Sequence, residues 1–213
     1  GESTRPGGAP VAQAEEMARL EPVLAALGES LDAPLSVDTT KASVAARAAE
    51  LGAVVINDVW GLQKDPGMAE AVAQAEAAVV VMHNRTETDE TIDIVADIRR
   101  FFDRSLEIAA RAGIPSNHII LDPGIGFAKS SRQNRDAISR LGELKGYALP
   151  ILIGASRKRF LGSLTGDGIE GTLIGTVTIN LAAIAAGAAI IRVHDVAEHA
   201  AALRMLQALR SAR

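Results

Sequence analysis

One pattern recurs along the chain. Residues with apolar positions at helical spacing are followed by a short apolar run that stops at a polar side chain. Residues 15–27 have helical spacing, and the run 34–37 stops at Asp38. Residues 42–51 precede 53–56, which stops at Asn57 with Asp58 beside it. Residues 67–75 precede 77–81, which ends at Met82 and His83. A long helix is predicted over 94–112, before the run 118–121 and Asp122. Helical spacing over 131–144 precedes 150–153 and Gly154, and 173–186 precedes 188–191 and Arg192. A last helix is predicted over 196–209.

Helices alternating with strands at this spacing predict βαβ units and a parallel sheet. Continuous apolar runs are what strands need when both faces are covered. The count is six strands, which suits an open doubly wound sheet, whereas a closed barrel needs eight. The opening segment bears on that choice. Residues 1–8 hold three glycines and a proline, which is loop chemistry, directly before the first helix. A βα loop belongs there, so at least one strand is expected upstream. The whole of 1–213 reads as a single domain.

Composition narrows the function classes. The chain is 48% hydrophobic and 23% charged with a net charge of -4, so no basic face for nucleic acid is evident. The apolar stretch 181–191 is shorter than the roughly 20 residues of a membrane span. Cysteine is absent, which excludes disulfides and thiolate metal sites and favours a cytoplasmic setting. With four histidines and no H-E-x-x-H, no metal set is legible.

In parallel α/β folds chemistry collects at the carboxyl ends of the strands. Those ends carry Asp38, Asn57, Asp58, His83, Asp122, Lys158, Arg192 and His194. A ring of such residues fits one polar-floored pocket, while for any single Asp or Asn a helix cap or turn is the competing reading. Residues 122–129, DPGIGFAK, form a glycine-rich turn that matches neither G-x-G-x-x-G nor a P-loop. Residues 154–159 place Arg157, Lys158 and Arg159 just past a strand. They read as an anion or ring clamp, or as a solvated turn. In Arg192-Val-His-Asp195, strand alternation puts Arg192 and His194 on one face, where they suit a phosphate or diphosphate. The competing reading pairs Arg192 with a carboxylate.

Taken together, GESTRPG at 1–7, SVDT at 36–39 with Lys41, INDV at 56–59, Met82-His83, LDPGIGF at 121–127, SRK at 156–158 and RVHDV at 192–196 resemble the dihydropteroate synthase family in order and spacing. The resemblance covers the entire chain. It implies a pterin-binding (β/α)8 TIM barrel, of which about six βα units are present. It also implies condensation of p-aminobenzoate with 7,8-dihydropterin-6-ylmethyl diphosphate, with Mg2+. Asp38, Asn57, Asp122 and Lys158 would hold the pterin with Met82 beside it, and Phe127 and Val193 join the binding set. Asp38, Asp122 and Lys158 are the expected catalytic residues. Thr4 and Arg5 would cover p-aminobenzoate, and Arg192 and His194 would bind the leaving diphosphate.

The family's metal-linked Asn, on its first strand, is expected upstream, so the chain itself supplies no metal ligand. Two further departures stand out. Ala128 replaces a common Gly, and Arg159 stands where a Ser is often found near p-aminobenzoate. The resemblance also implies a homodimer, for which the last two helices are candidates. Another pterin-barrel activity, such as methyl transfer from methyltetrahydrofolate, and a non-catalytic pterin-binding protein are the alternatives.

Overall fold

The computed structural model describes residues 1–3, 8–166 and 168–211. Helix α1 (Gln13–Ser30) leads into β1 (Leu35–Asp38). Then come α2 (Ala42–Glu50), β2 (Ala53–Asp58), α3 (Met68–Gln74), β3 (Ala78–Met82), α4 (Ile94–Ala112) and β4 (Ile119–Asp122). The last third holds α5 (Ser131–Ser139), β5 (Leu152–Ile153), α6 (Arg159–Thr165), α7 (Ile169–Ala186), β6 (Ile190–Ile191) and α8 (Val196–Ser211). No helix among the described residues is long and apolar enough to cross a membrane.

Strands β1 to β4 pair in parallel and in chain order, and β5 pairs in parallel with β6. A single parallel bridge, Leu121 to Ile151, joins β4 to the start of β5. The order therefore runs 1 to 6 without reversal. That is the wall of a (β/α)8 barrel, not a doubly wound sheet, whose strand order reverses at a switch point. Among the described residues the outer edges of β1 and β6 have no partner strand.

Side-chain parity fixes which way each strand faces. Val79 and Val81 belong to the large core shared with α3 and α4, while Met82 packs with Val59 and Phe127 on the other side. In β1, Val37 packs toward α1 and α2 with Leu24 and Ala48, so Asp38 turns inward. Val79 to Met82 are each at most 2% exposed, and burying a side chain of this size stabilises by about 1.5–3 kcal/mol. Helix α4 buries Ile94, Ile98, Phe102 and Ala109 along one stripe. It starts at Asp93, whose carboxylate accepts from the Val95 and Ala96 amides, and ends at Gly113 in the left-handed region.

Four elements differ from the sequence reading. The helix expected over 131–144 stops at Ser139, and a 3-10 segment, Leu141–Tyr147, follows. Leu141 and Leu144 are buried, and a three-residue spacing serves both helix types, so the apolar pattern does not separate them. Helix α6 was not expected. It has seven residues, too few to show a period, and contains a glycine. Strands β5 and β6 pair over two residues each, half the expected runs.

Candidate active site

Asp38, Met82 and Asp122 end β1, β3 and β4, and Asn57 is the last residue but one of β2. The register aligns Asp38 with Asn57 and Met82 with Asp122. Arg192, one residue past β6, reaches across the wall into this group. Its Nη1 donates to Asn57 Oδ1 at 2.7 Å and its Nη2 to Asp122 Oδ2 at 3.2 Å. Gly154 makes room for that reach, because a Cβ there would lie 2.8 Å from Arg192 Nη2. Four polar groups at or near the carboxyl ends of β1, β2, β4 and β6 thus come together.

Electrostatics follow from the setting. Asp122 is 1% exposed, and burial raises its pKa, opposed first by Arg192 and then by the Gly124 amide, Lys129 and Lys158. Asp38 keeps accessible surface, although protein surrounds much of its carboxylate. Burial raises its pKa too, opposed first by the Arg192 charge and then by the neighbouring Asn57 amide, which stops short of a hydrogen bond. Asn57 is 1% exposed and its Nδ2 has no hydrogen-bond partner. A buried donor of this kind is a group that a ligand acceptor would satisfy. Asp58 plays a different part. Its carboxylate accepts from the Trp60 and Leu62 amides at 2.9 and 2.7 Å, so it shapes the turn after β2.

The loop after β4 is held from several directions. The Gly124 amide donates to Asp122 Oδ1 at 2.8 Å, and the Gly126 amide donates to Asn134 Oδ1 on α5 at 2.7 Å. A Cβ on Gly124 would meet the His83 carbonyl oxygen at 2.0 Å. Ala128 sits at φ 41, a region that suits glycine better. Phe127 is 6% exposed, and the Lys158 ammonium lies 4.2 Å from its ring centroid.

The three cations after β5 take separate paths. Arg157 turns outward to pair with Asp195, its Nε 3.1 Å from Oδ2. Lys158 faces Phe127, and Arg159 is exposed at the start of α6. His194 is also exposed, with Nδ1 2.8 Å from Ser156 Oγ. The expected single face for Arg192 and His194 needs correction. Strand β6 ends at Ile191, so alternation does not extend to these residues, and each has its own partners. Val193 lies half-buried between them. Thr4 and Arg5 fall outside the described residues.

Sequence reasoning passed over two further clusters. Lys41 Nζ lies 2.5 Å from Glu2 Oε2 and 2.6 Å from the buried Glu16 Oε2, tying the opening segment to α1 and α2. Lys129 and His83 meet beneath the pocket, 46 positions apart. No local motif signals that pairing. Tyr147 packs edge-on against Phe102 and donates to Asp103, so its part is structural. Among the described residues no three His, Asp or Glu side chains gather as a metal donor set.

Six sequential βα units with polar side chains gathered at their strand ends define a barrel protein of the kind that carries an active site there. Comparison with known proteins makes this specific. The family model for pterin binding enzymes matches residues 1–194. The dihydropteroate synthase of Bacillus subtilis is 42% identical over 209 residues, covering 98% of this chain and 73% of that protein. A dihydropteroate synthase structure from Clostridium difficile, determined in the presence of pteroic acid, superimposes with a TM-score of 0.94. It is 44% identical and covers 98% of this chain and 80% of its own. A Xanthomonas albilineans dihydropteroate synthase with 4-aminobenzoic acid gives a TM-score of 0.94 at 41% identity, covering 99% and 77%. The chain belongs to the pterin-binding enzyme family, among its dihydropteroate synthases.

Proposed function

We propose that this transferase condenses p-aminobenzoate with 7,8-dihydropterin-6-ylmethyl diphosphate, giving 7,8-dihydropteroate and diphosphate. The observation that carries the reading is the convergence of Asp38, Asn57, Asp122 and Arg192 on one pocket. A pterin edge is a row of N–H donors and ring acceptors. Asp38 and Asp122 accept from its donors, and the unpartnered Asn57 Nδ2 donates to it. Met82, Phe127 and Lys158 line the remaining wall.

The pterin takes the place of the Arg192 guanidinium at Asn57 and Asp122, which releases Arg192 toward the diphosphate with His194 beside it. The amine nitrogen then attacks the methylene carbon. A C–N bond forms as the C–O bond breaks, diphosphate leaves with the electron pair, and the amine proton passes to solvent. Asp38 and Asp122 stabilise positive charge developing on the pterin. Arg192 and Lys158 stabilise the departing negative charge. An aromatic amine is nucleophilic when neutral, so no strong general base is required.

The resemblance also implies Mg2+ with the diphosphate. We infer a homodimer as well, supported by Ile174 on α7 and by Val196, Met205 and Leu209 on α8, all more than 60% exposed. The absence of cysteine suits a cytoplasmic setting. The test is diphosphate release coupled to formation of 7,8-dihydropteroate, with each substrate and Mg2+ omitted in turn. Turnover that requires both substrates is expected. Pterin diphosphate binding without diphosphate release would reduce the chain to a non-catalytic pterin-binding protein.

A further inference from the structure

Beneath the pocket lies a polar cluster that the reaction leaves unused. Lys129 is 8% exposed, and its Nζ lies 2.8 Å from His83 Nδ1, 2.9 Å from the Gly124 carbonyl and 3.2 Å from the Phe127 carbonyl. Across the imidazole, Nε2 lies 3.2 Å from Asp97 Oδ2 on the first turn of α4. Asp97 also meets Arg85 Nε at 3.4 Å and Arg100 Nη2 at 2.9 Å. An ammonium carries three donors and no acceptor, and three acceptors surround this one. His83 is then a neutral imidazole that accepts at Nδ1 and donates Nε2–H to Asp97. Burial, followed by the Lys129 charge, lowers the His83 pKa to about 4, in agreement.

The three acceptors belong to two neighbouring segments. His83 directly follows Met82 at the end of β3. The Gly124 and Phe127 carbonyls bracket the loop after β4, whose Gly124 amide holds Asp122 and whose Phe127 ring carries Lys158. We propose that Lys129 is a positioning residue for the transfer: it pins residues 124–127, and through them Asp122, Phe127 and Lys158, against the end of β3. This deepens the transferase reading and rests on it for its effect on turnover. Its effect on the loop can be read without substrate, because Trp60, the chain's one tryptophan, packs against the cluster of Val59, Met82 and Phe127.

Lys129→Met keeps the aliphatic stem and removes all three donors. The expected result is altered Trp60 emission and acrylamide quenching with cooperative unfolding retained. In turnover, kcat falls by about tenfold or more, while the KM for pterin diphosphate moves by less than about threefold. Should that variant not fold, Lys129→Ala titrated with ethylammonium serves instead, with both signals expected to recover. A pH titration of Trp60 emission adds a signature that simple packing would not give. Burial lowers the Lys129 pKa to about 7, reinforced by Arg85 and Lys158 and opposed by Asp122 and Asp97. The parent emission should therefore titrate well below the ordinary lysine range, and Lys129→Met should lack that step. Parental emission together with parental kcat in Lys129→Met would overturn the proposal. An emission change in the variant, with no turnover by the parent, would overturn the transferase reading and leave the loop assignment standing.

Discussion

Gly154→Ala isolates the contribution of Arg192 to the pocket. Gly154 does not have a positive φ, so alanine brings no backbone strain. The added methyl would lie 2.8 Å from Arg192 Nη2, 3.3 Å from Nε and 3.4 Å from Cζ. Ordinary contact requires the guanidinium to retreat by roughly half an ångström. Its bond to Asn57 is 2.7 Å and tolerates part of that shift, but its bond to Asp122, already 3.2 Å, passes out of range. Removing a charge-assisted bond from a buried acceptor costs about 1.5–3 kcal/mol. Arg192 is 39% exposed, so water takes over part of its role and the loss in unfolding free energy comes to about 1 kcal/mol. Misplacing a group that contacts the leaving diphosphate weighs more heavily, and kcat/KM for pterin diphosphate should fall about tenfold. Diphosphate release and urea unfolding, measured on the same preparations, test both figures. Unchanged kcat/KM would refute the assignment of Arg192. A stability loss above about 3 kcal/mol would show that the methyl meets something less yielding than a side chain.

Gly124→Ala should behave differently, because its Cβ meets the His83 carbonyl at 2.0 Å and its φ is +67. A loss of more than about 3 kcal/mol in urea unfolding is expected, and near-parental stability would show that the loop has slack. His83 predicts a pH dependence of stability. Its pKa is lowered from 6.5 to about 4, so the unfolded chain binds the extra proton first. Stability is then fully present above pH 6.5 and falls by about 3 kcal/mol as the pH drops toward 4, relative to His83→Gln. Parallel curves for parent and variant would contradict this. Arg159→Ser should lower the sulfonamide concentration needed for inhibition by several-fold, on the order of 1 kcal/mol, with equal inhibition excluding Arg159 from the benzoate side.

Asp38, Asn57 and Asp122 were legible because each ends an uninterrupted apolar run, and parity then sends one face of each run inward. The hydrophobic pattern alone did not separate barrel from doubly wound sheet, since strand count leaves spatial order open; the family resemblance pointed to the barrel, and the strand order agrees. Arg192 was read as an anion binder with pairing to a carboxylate as the competing reading, and the structure shows that pairing, to Asp122; which carboxylate it would meet was not legible. A long side chain can turn to either side, and here the direction depends on the missing Cβ of Gly154, 38 residues earlier. Lys129 appeared only as the last residue of the glycine-rich turn 122–129, although His83, its partner across the wall, had been named at a strand end. Both residues were visible, and their meeting was not.

The single bridge between Leu121 and Ile151 has a consequence for motion. Strands β1 to β4 are knitted by ladders of four register pairs each, whereas the part bearing Lys158 and Arg192 attaches to them through that bridge, the Arg192 contacts, the Lys158–Phe127 contact and helix packing. Breathing of the wall should therefore concentrate at this seam, with amide exchange around Leu121, Ile151 and Arg192 faster than along β2 and β3. A pterin held by Asn57 and Asp122 on one side and Lys158 on the other would suture the seam. Catalytic readiness and local rigidity then rise together, and the ligand supplies the stiffness that the backbone ladder leaves out.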